Sequence, residues 1–376
     1  MQIRKLHTDN PQDVRQFIAL PFVLYRNCAQ WVPPLVSDVQ SALNRRKHPF
    51  FRHSDADFFV AVDHGATLGR IAVFENRNYN RHQHSQTAHF YYFDSVDDVD
   101  VTQALFEAAF DWARSRGLSE IHGPKGPGAG DGLGLLVDGF EHRPAMGIPY
   151  NFSYYASHLV QTGFEKRYDL MSGHLRGSYD LPQRFYELAE KVKARRGFWV
   201  KSFGSKREGR EWIPRIGKVL NASFVDTQDY YPATDEEIAV AAEQLLTIAD
   251  PRMIKLVMLE DEVVGFVFAF PDLSAAIQRA HGRLWPFGWY YLLLEFKRTK
   301  WVNANGLGLV PRHRGMGANV LLYTELAKTL RDYHFEHADI VQVGEDNMKS
   351  LAEMQAIGVQ WYKRHRVYQR RLVQDT

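Results

Sequence analysis

Arg312-His-Arg-Gly315-Met-Gly317 is the stretch of this sequence with the most definite chemistry. An apolar strand pattern, Leu307–Val310, leads into it, and a helical pattern, Val320–Leu330, leads out. Gly315 and Gly317 let the backbone turn tightly with its N–H groups facing one way. Those N–H groups then coincide with the positive end of a helix, which makes a site for a pyrophosphate. Arg312 and Arg314 add charge. A simple strand-to-helix turn uses the same glycines, so the spacing alone leaves both readings open. Glu345 and Asp346 close the next strand pattern. As carboxylates they suit a general base that takes a proton from a nucleophile, or a cap for the helix that follows Asn347.

The elements that position these residues occur twice. Phe58–Phe74 and Lys255–Phe270 each read as an apolar strand, an acidic turn and a second apolar strand opened by a glycine, with Gly69 matching Gly265. Asn151 opens a helical stretch ending at Gly163, and Asn347 opens one ending at Gly358. Strand-like runs follow at Phe164–Leu175 and Val359–Leu372. The offset between copies is about the same at hairpin and helix, close to half the chain, which is the sign of duplication. Amphipathic helices are predicted at Val101–Arg116, with Ala104, Leu105, Ala108, Phe110 and Trp112 inward, and at Gly317–Arg331, with Val320, Leu321, Leu322, Leu326 and Leu330 inward. The fold class is α/β (α+β): two modules, each a mixed central sheet flanked by helices. The expected boundaries are 1–175, a linker or helix at 176–197, and 198–376. Each module carries an insertion, Gly/Pro-rich at Gly123–Tyr150 and aromatic at Asp272–Lys300.

Arg312–Gly317, after its apolar strand, resembles the acetyl-CoA-binding motif of the GNAT acyltransferase superfamily, Gln/Arg-x-x-Gly-x-Gly/Ala. The acidic strand end, Asn347 and the helix closing at Gly358 fit the same family, as does the Lys255–Phe270 hairpin. The chain is thus similar to a pair of tandem GNAT-like modules, with the resemblance strongest over Phe198–Leu372. It implies a CoA-dependent N-acyltransferase with acyl-CoA as cosubstrate and no metal. CoA would lie along Leu309, Val310, Arg312, Arg314, Gly315, Met316, Gly317, Ala318 and Asn347, with a backbone N–H near Leu309 polarising the thioester carbonyl. The matching turn of the first module, Asp94–Asp100, has four acidic residues and no glycine, so it would repel a pyrophosphate. The first module is therefore expected to lack a CoA site.

The chain departs from the family pattern at Met354, where many members carry a tyrosine that protonates the leaving thiolate. Tyr323, Tyr362 and Tyr368 are the alternatives, with Tyr368 joining Glu345 and Asp346 as the expected catalytic residues. A non-catalytic acyl-CoA sensor fits Met354 equally. An aminoacyl-tRNA-dependent peptidyl transferase fits the tandem arrangement. The near-neutral charge, +2 from 46 basic and 44 acidic residues, argues against nucleic acid as partner.

Trp285, Phe287, Trp289, Tyr290, Tyr291 and a leucine run precede Lys297, Arg298 and Lys300. That is the composition of a membrane-interface segment, or of a helix packed between modules. An interface at Trp285–Lys300 would suit a long acyl chain or a lipid amine, and the expected acceptor is a small-molecule or lipid amine. Tandem GNAT proteins with such an insertion include bacterial ceramide synthases, which this arrangement resembles. No apolar stretch reaches the roughly 20 residues of a spanning helix. The single cysteine, Cys28, excludes an intramolecular disulfide and a Cys-rich zinc site. The expected location is cytoplasmic, peripheral on the inner membrane.

Three further features carry bland expectations. The Gly123–Gly134 loop lacks Gly-Lys-Ser/Thr and reads as a shaped loop lining the groove between modules. His82, His84 and His89 read as solvated. Lys363-Arg-His-Arg366, with Arg370 and Arg371, reads as an exposed strand face that could meet phosphate or anionic lipid.

Overall fold

The computed structural model describes residues 1–128, 131–176 and 180–372. Ala129 and Gly130, at the centre of the Gly-rich loop expected to line a groove, and Gly177–Tyr179, in the expected linker or helix, lie outside the described residues.

In chain order the first half runs β1 (Gln2–Lys5), α1 (Pro11–Leu24), α2 (Val36–Leu43), β2 (Asp55–Asp63), β3 (Ala66–Glu75) and α3 (Arg77–Gln83). Then follow β4 (Thr87–Ser95), α4 (Val99–Arg114), β5 (Glu120–Gly123), β6 (Leu135–Asp138), α5 (Tyr154–Gln161) and β7 (Glu165–Arg176). The second half has α6 (Gln183–Arg196), β8 (Phe198–Ser202), α7 (Lys206–Ser223), α8 (Asp235–Ile248), β9 (Ile254–Leu259) and β10 (Glu262–Pro271). It ends with α9 (Ser274–Arg279), α10 (Gly288–Arg298), β11 (Trp301–Leu309), α11 (Ala318–Asp332), β12 (His337–Gly344), α12 (Met348–Ala356) and β13 (Gln360–Arg371).

The chain divides into two compact units that interleave along the sequence. Unit 1 comprises Met1–Met171, Leu273–Glu295 and the chain from Tyr362 on, and unit 2 comprises Ser172–Asp272 and Phe296–Trp361. Boundaries drawn in chain order at 175 and 198 therefore differ from the packing in three places. Most of the aromatic insertion and most of β13 belong to unit 1. The 176–197 stretch, expected as a linker or helix, supplies the helix α6, which packs in unit 2, where Lys193 pairs with Glu325 of α11 at 3.4 Å.

In unit 1 the strand order is β1-β2-β3-β4-β5-β13, antiparallel except for the parallel pair β4–β5. In unit 2 it is β8-β9-β10-β11-β12, again with one parallel pair, β11–β12, and the end of β7 beside β12. The last strand of each repeat is thus exchanged. β13 comes from the second repeat and pairs with β5 of the first, from Tyr368↔Gly123 to Arg371↔Glu120. The basic run of β13 is in part internal, although Arg371 stays exposed. His365 is fully buried, Lys363 nearly so, and Arg366 grips buried Asp169 through two bonds of 2.7 and 2.9 Å.

The hairpins form as the alternation predicts, and each carries the same defect. In β3 the pairs Ala61↔Gly69 and Val62↔Thr67 leave Leu68 unmatched, and in β10 the pairs Val257↔Gly265 and Met258↔Val263 leave Val264 unmatched. The carbonyls of Leu68 and Val264 each accept from the residue after the third strand, Val96 N–H at 2.9 Å and Val310 N–H at 3.0 Å. The amphipathic helices appear as α4 and α11, which bury Leu105, Phe106 and Phe110, and Val320, Leu321 and Leu322, against their sheets. Three local expectations change. Asn151 opens no helix, because its amide clamps the Leu136 backbone at 2.7 and 3.1 Å and the cap of α5 is Ser153. His89 is not solvated; it is buried in β4, stacked on Phe74 with ring centroids 5.3 Å apart. The aromatic part of the insertion, Trp285–Phe296, is exposed rather than packed as core, as described below.

Candidate functional site

The site in unit 2 grows from the parallel pair β11–β12. Pairing runs from Trp301↔His337 to Ala304↔Ile340 and stops, so beyond Ala304 the strands fan apart. A bulge at that point sets Asn305 and Gly306 against Phe268 alone, with Gly306 at φ +136°, a backbone state that glycine takes readily. Phe266 and Phe268 stack 4.6 Å apart beneath it. Any side chain at Gly308 would meet Phe266 at 2.8 Å and Ser223 at 2.7 Å, so only glycine lets this wall approach the strand.

The strand's end decides what is on offer to a ligand. Val310 N–H is spent on Val264, and in an antiparallel ladder the neighbouring residue faces the other way. Leu309 N–H therefore points away from β10, into the opening beside β12. The Leu309 carbonyl on that side accepts from Arg314 Nε at 3.2 Å. From here the chain makes a short 3-10 turn, Pro311–His313, then two left-handed glycines, Gly315 at φ +75° and Gly317 at φ +86°, and enters α11 at Ala318. Among the described residues, the N–H groups of Gly315, Met316 and Gly317 donate to no backbone carbonyl. A Cβ at Gly315 would meet nothing within 4 Å, whereas one at Gly317 would lie 2.7 Å from Val192 of α6. The loop is thus an open cradle of N–H groups at a helix N-terminus, anchored on one side by α6. Its donor set suits a pyrophosphate.

The two arginines do not stand ready as unpaired charges. Arg312 pairs with Glu262 of β10, and Arg314 pairs with Asp226 at 2.5 Å while donating to Ser223 O at 2.8 Å. Both partners lie far away in sequence, which is why the motif alone gave no sign of them. Solvent-exposed pairs of this kind are worth about 0–1 kcal/mol, so an arriving anion can compete for the cations. Asn347 caps α12, accepting from Ser350 N–H at 3.2 Å. The cap is therefore neither Glu345 nor Asp346. These two carboxylates follow the end of β12, Glu345 half-buried and Asp346 exposed. Tyr368, expected as a catalytic residue, belongs to unit 1. It is 2 % exposed within the apolar core, beside Phe90, Phe106 and Phe164, and burial raises its phenol pKa. A phenol in that setting serves packing. Tyr323 stays in unit 2 but is turned to Glu353, 3.4 Å away, beside the Asn319 amide that donates to the same oxygen at 2.9 Å.

The same construction in unit 1 is closed. β4 and β5 pair only as far as His89↔His122 and then diverge. Ser95 is the counterpart of Leu309, since each pairs with the bulge glycine, Gly69 or Gly265. Its N–H donates to the Tyr155 hydroxyl at 3.0 Å, and its carbonyl accepts from Tyr154 at 2.7 Å. The Tyr155 oxygen lies 3.1 Å from that of Tyr25, which bonds Asp94 at 3.0 Å, and Asp94 is held by buried Arg70 at 2.7 Å. Burial pushes the Tyr155 phenol well above its usual pKa, with Asp94 adding to the effect. Counted back from Gly163 and Gly358, Tyr155 corresponds to Ser350, and Leu159 to Met354. Matching backbone bonds, Phe164 N–H to Leu159 O and Val359 N–H to Met354 O, support that count. Unit 1 thus fills its fork with a phenol where unit 2 has a short serine, and Met354 occupies a core position. The turn also differs in length: Val310–Gly317 spans eight residues before its helix, Val96–Asp98 only three.

No family model matches the chain. A tandem GNAT protein from the clavulanic acid biosynthesis pathway superposes with a TM-score of 0.60 at 13 % identity, covering 99 % of this chain and 98 % of that one. The fold is that of the tandem GNAT proteins. By sequence, the chain is 28 % identical over 372 residues to Protein YghO of Escherichia coli, covering 96 % of this chain and 94 % of that protein. It is 27 % identical over 372 residues to a protein of Caulobacter vibrioides named bacterial ceramide synthase, covering 96 % of each. This chain has one fork in each unit, and unit 1 has filled its own.

Proposed function

We propose that this chain is an N-acyltransferase that moves an acyl group from acyl-CoA to an amine, using the fork of unit 2. The observation that carries the reading is the contrast at one backbone position. The Leu309 N–H faces an opening beside a glycine cradle, while its counterpart at Ser95 is consumed by Tyr155. In this reading the Gly315–Ala318 turn holds the pyrophosphate, Asn347 flanks the pantetheine arm, and the thioester carbonyl takes the Leu309 N–H. The amine nitrogen attacks the carbonyl carbon, a C–N bond forms, the C–S bond breaks, and CoA leaves as a thiolate that takes a proton from water. The amine's proton goes to Glu345 or Asp346, directly or through water. The name of the Caulobacter relative supports a lipid amine, such as a sphingoid base, and a long acyl chain.

Mass spectrometry of reactions containing palmitoyl-CoA or acetyl-CoA and a long-chain amino alcohol tests this, alongside calorimetric CoA binding. The expected result is an N-acylated product that Gly317→Asp abolishes together with CoA binding. Glu345→Gln or Asp346→Asn is expected to lower the rate about a hundredfold or more across pH 6–9 while CoA still binds. Wild-type rates in both would remove the base assignment. The buried Met354 favours a second reading, an acyl-CoA sensor, which CoA binding without product for any amine would support. No CoA binding at all would overturn both.

A further inference from the structure

Fifteen large apolar side chains stand exposed among the described residues, and seven of them fall within Trp285–Phe296. Trp285 is 81 % exposed, Phe287 71 % and Leu293 57 %, with Trp289, Tyr290, Tyr291 and Phe296 also exposed. Gly288 is the only buried residue of α10. The helix is turned inside out: Trp289, Leu293 and Phe296, at spacing i, i+4, i+7, face solvent, while Gly288, Leu292 and Glu295 lie on the inner side. Glu295 there pairs with Arg279 at 3.7 Å. The arm that carries the helix is fixed to unit 1, with Gln278 donating to the carbonyls of Ala29 and Trp31 at 2.9 Å and Gly282 O accepting from Val36 N–H at 2.8 Å.

We infer that α10 and the turn before it are an interfacial anchor that docks onto an anionic lipid bilayer. A patch this apolar on a fixed arm needs a cover. Trp289 Nε1 already donates to Pro286 O at 2.8 Å, so its ring enters an apolar medium without orphaning a donor. Arg283, Lys297 and Arg298 flank the patch and make no ion pair among the described residues. A bilayer with anionic headgroups offers hydrocarbon to the rings and phosphate to the cations, in that order of depth. A second copy of the chain could cover the rings with its own, but it would set like cations against these. The helix is far too short to span, and no helix of the described residues is long and apolar enough to cross a membrane.

The full chain should pellet with vesicles of phosphatidylglycerol and phosphatidylcholine, and much less with phosphatidylcholine alone. Brominated acyl chains should quench its tryptophan fluorescence. Trp285→Ser with Trp289→Ser, and separately Lys297→Glu with Arg298→Glu, should each weaken vesicle binding about tenfold or more. Calorimetric CoA binding should persist in both variants, which shows that they are folded and keeps this test separate from the acyltransferase reading. Failure of the wild type to bind anionic vesicles would overturn the proposal, as would binding unchanged in both variants. A dimer in sedimentation velocity that the tryptophan variant dissolves, without vesicle binding, would assign the patch to a second copy instead.

Discussion

Gly317 and Gly315 differ in what surrounds them although both turn left-handed. Alanine at Gly317 meets the Val192 side chain and an unfavourable φ together, so Gly317→Ala should cost about 1–3 kcal/mol in urea unfolding and weaken CoA. Gly315→Ala faces open space and should cost about 1 kcal/mol, yet it places a methyl in the cradle. Its signature should be lost CoA affinity with nearly intact stability. His365 gives a second residue-scale expectation. Burial holds it neutral, its pKa pushed down to about 4, with Nε2 3.0 Å from Pro149 O. Between about pH 6.5 and 4 the unfolded chain binds a proton there that the folded chain refuses. Stability should therefore fall as pH drops through that window, by the order of 3 kcal/mol from this site. His365→Gln, which keeps an N–H donor, should flatten the pH dependence of urea unfolding over pH 4–6.5; an unchanged slope would place the titration elsewhere.

Elements carry the contrast between the two forks. Asp97→Lys in unit 1 should leave CoA affinity unchanged, because removing a carboxylate neither lengthens the three-residue turn nor moves Tyr155. Tyr155→Phe should cost about 1–3 kcal/mol by leaving the Ser95 N–H unpaired, measured by thermal denaturation. A CoA site appearing in unit 1 on Asp97→Lys alone would mean that charge, not shape, had closed it. The hairpins, α4, α11 and the cradle could all be read from the sequence, because each is a local pattern of alternation, periodicity or paired glycines. The closure of the first fork could not. The tyrosines of α5 look like any aromatic pair until β4 is placed beside them. The arginines misled for a similar reason: Glu262 and Asp226 reach them only once β10 and the segment after α7 are folded. For Trp285–Lys300 the composition allowed core or surface, and only the direction of the helix face separates the two.

At the scale of the whole molecule, the exchange of final strands ties each repeat to the other's chain. Removal of residues 360–376 takes β13 from β5 and deletes His365, Arg366 and Tyr368 from unit 1. Unit 1 should then be the first part lost to limited proteolysis, although the deletion lies in the second repeat. Cleavage confined to unit 2 would contradict this. Tyr368 illustrates why sequence position misplaced it: it follows the CoA motif in the chain, but its strand crosses into the other unit.

The exchange also sets an order on the growing chain. All the strands that the first repeat itself contributes leave the ribosome long before β13 does, since β5 ends at Gly123 and β13 begins at Gln360. Throughout that interval the free side of β5 is an open edge, a template for any strand that passes, on this polypeptide or a neighbouring one. What the chain presents there is a strand of only four residues that carries the polar side chains of Glu120 and His122. Brevity and charge both discourage promiscuous pairing. The same residues that look costly inside a finished sheet suit an edge that must wait, unpaired, for the chain's own last strand.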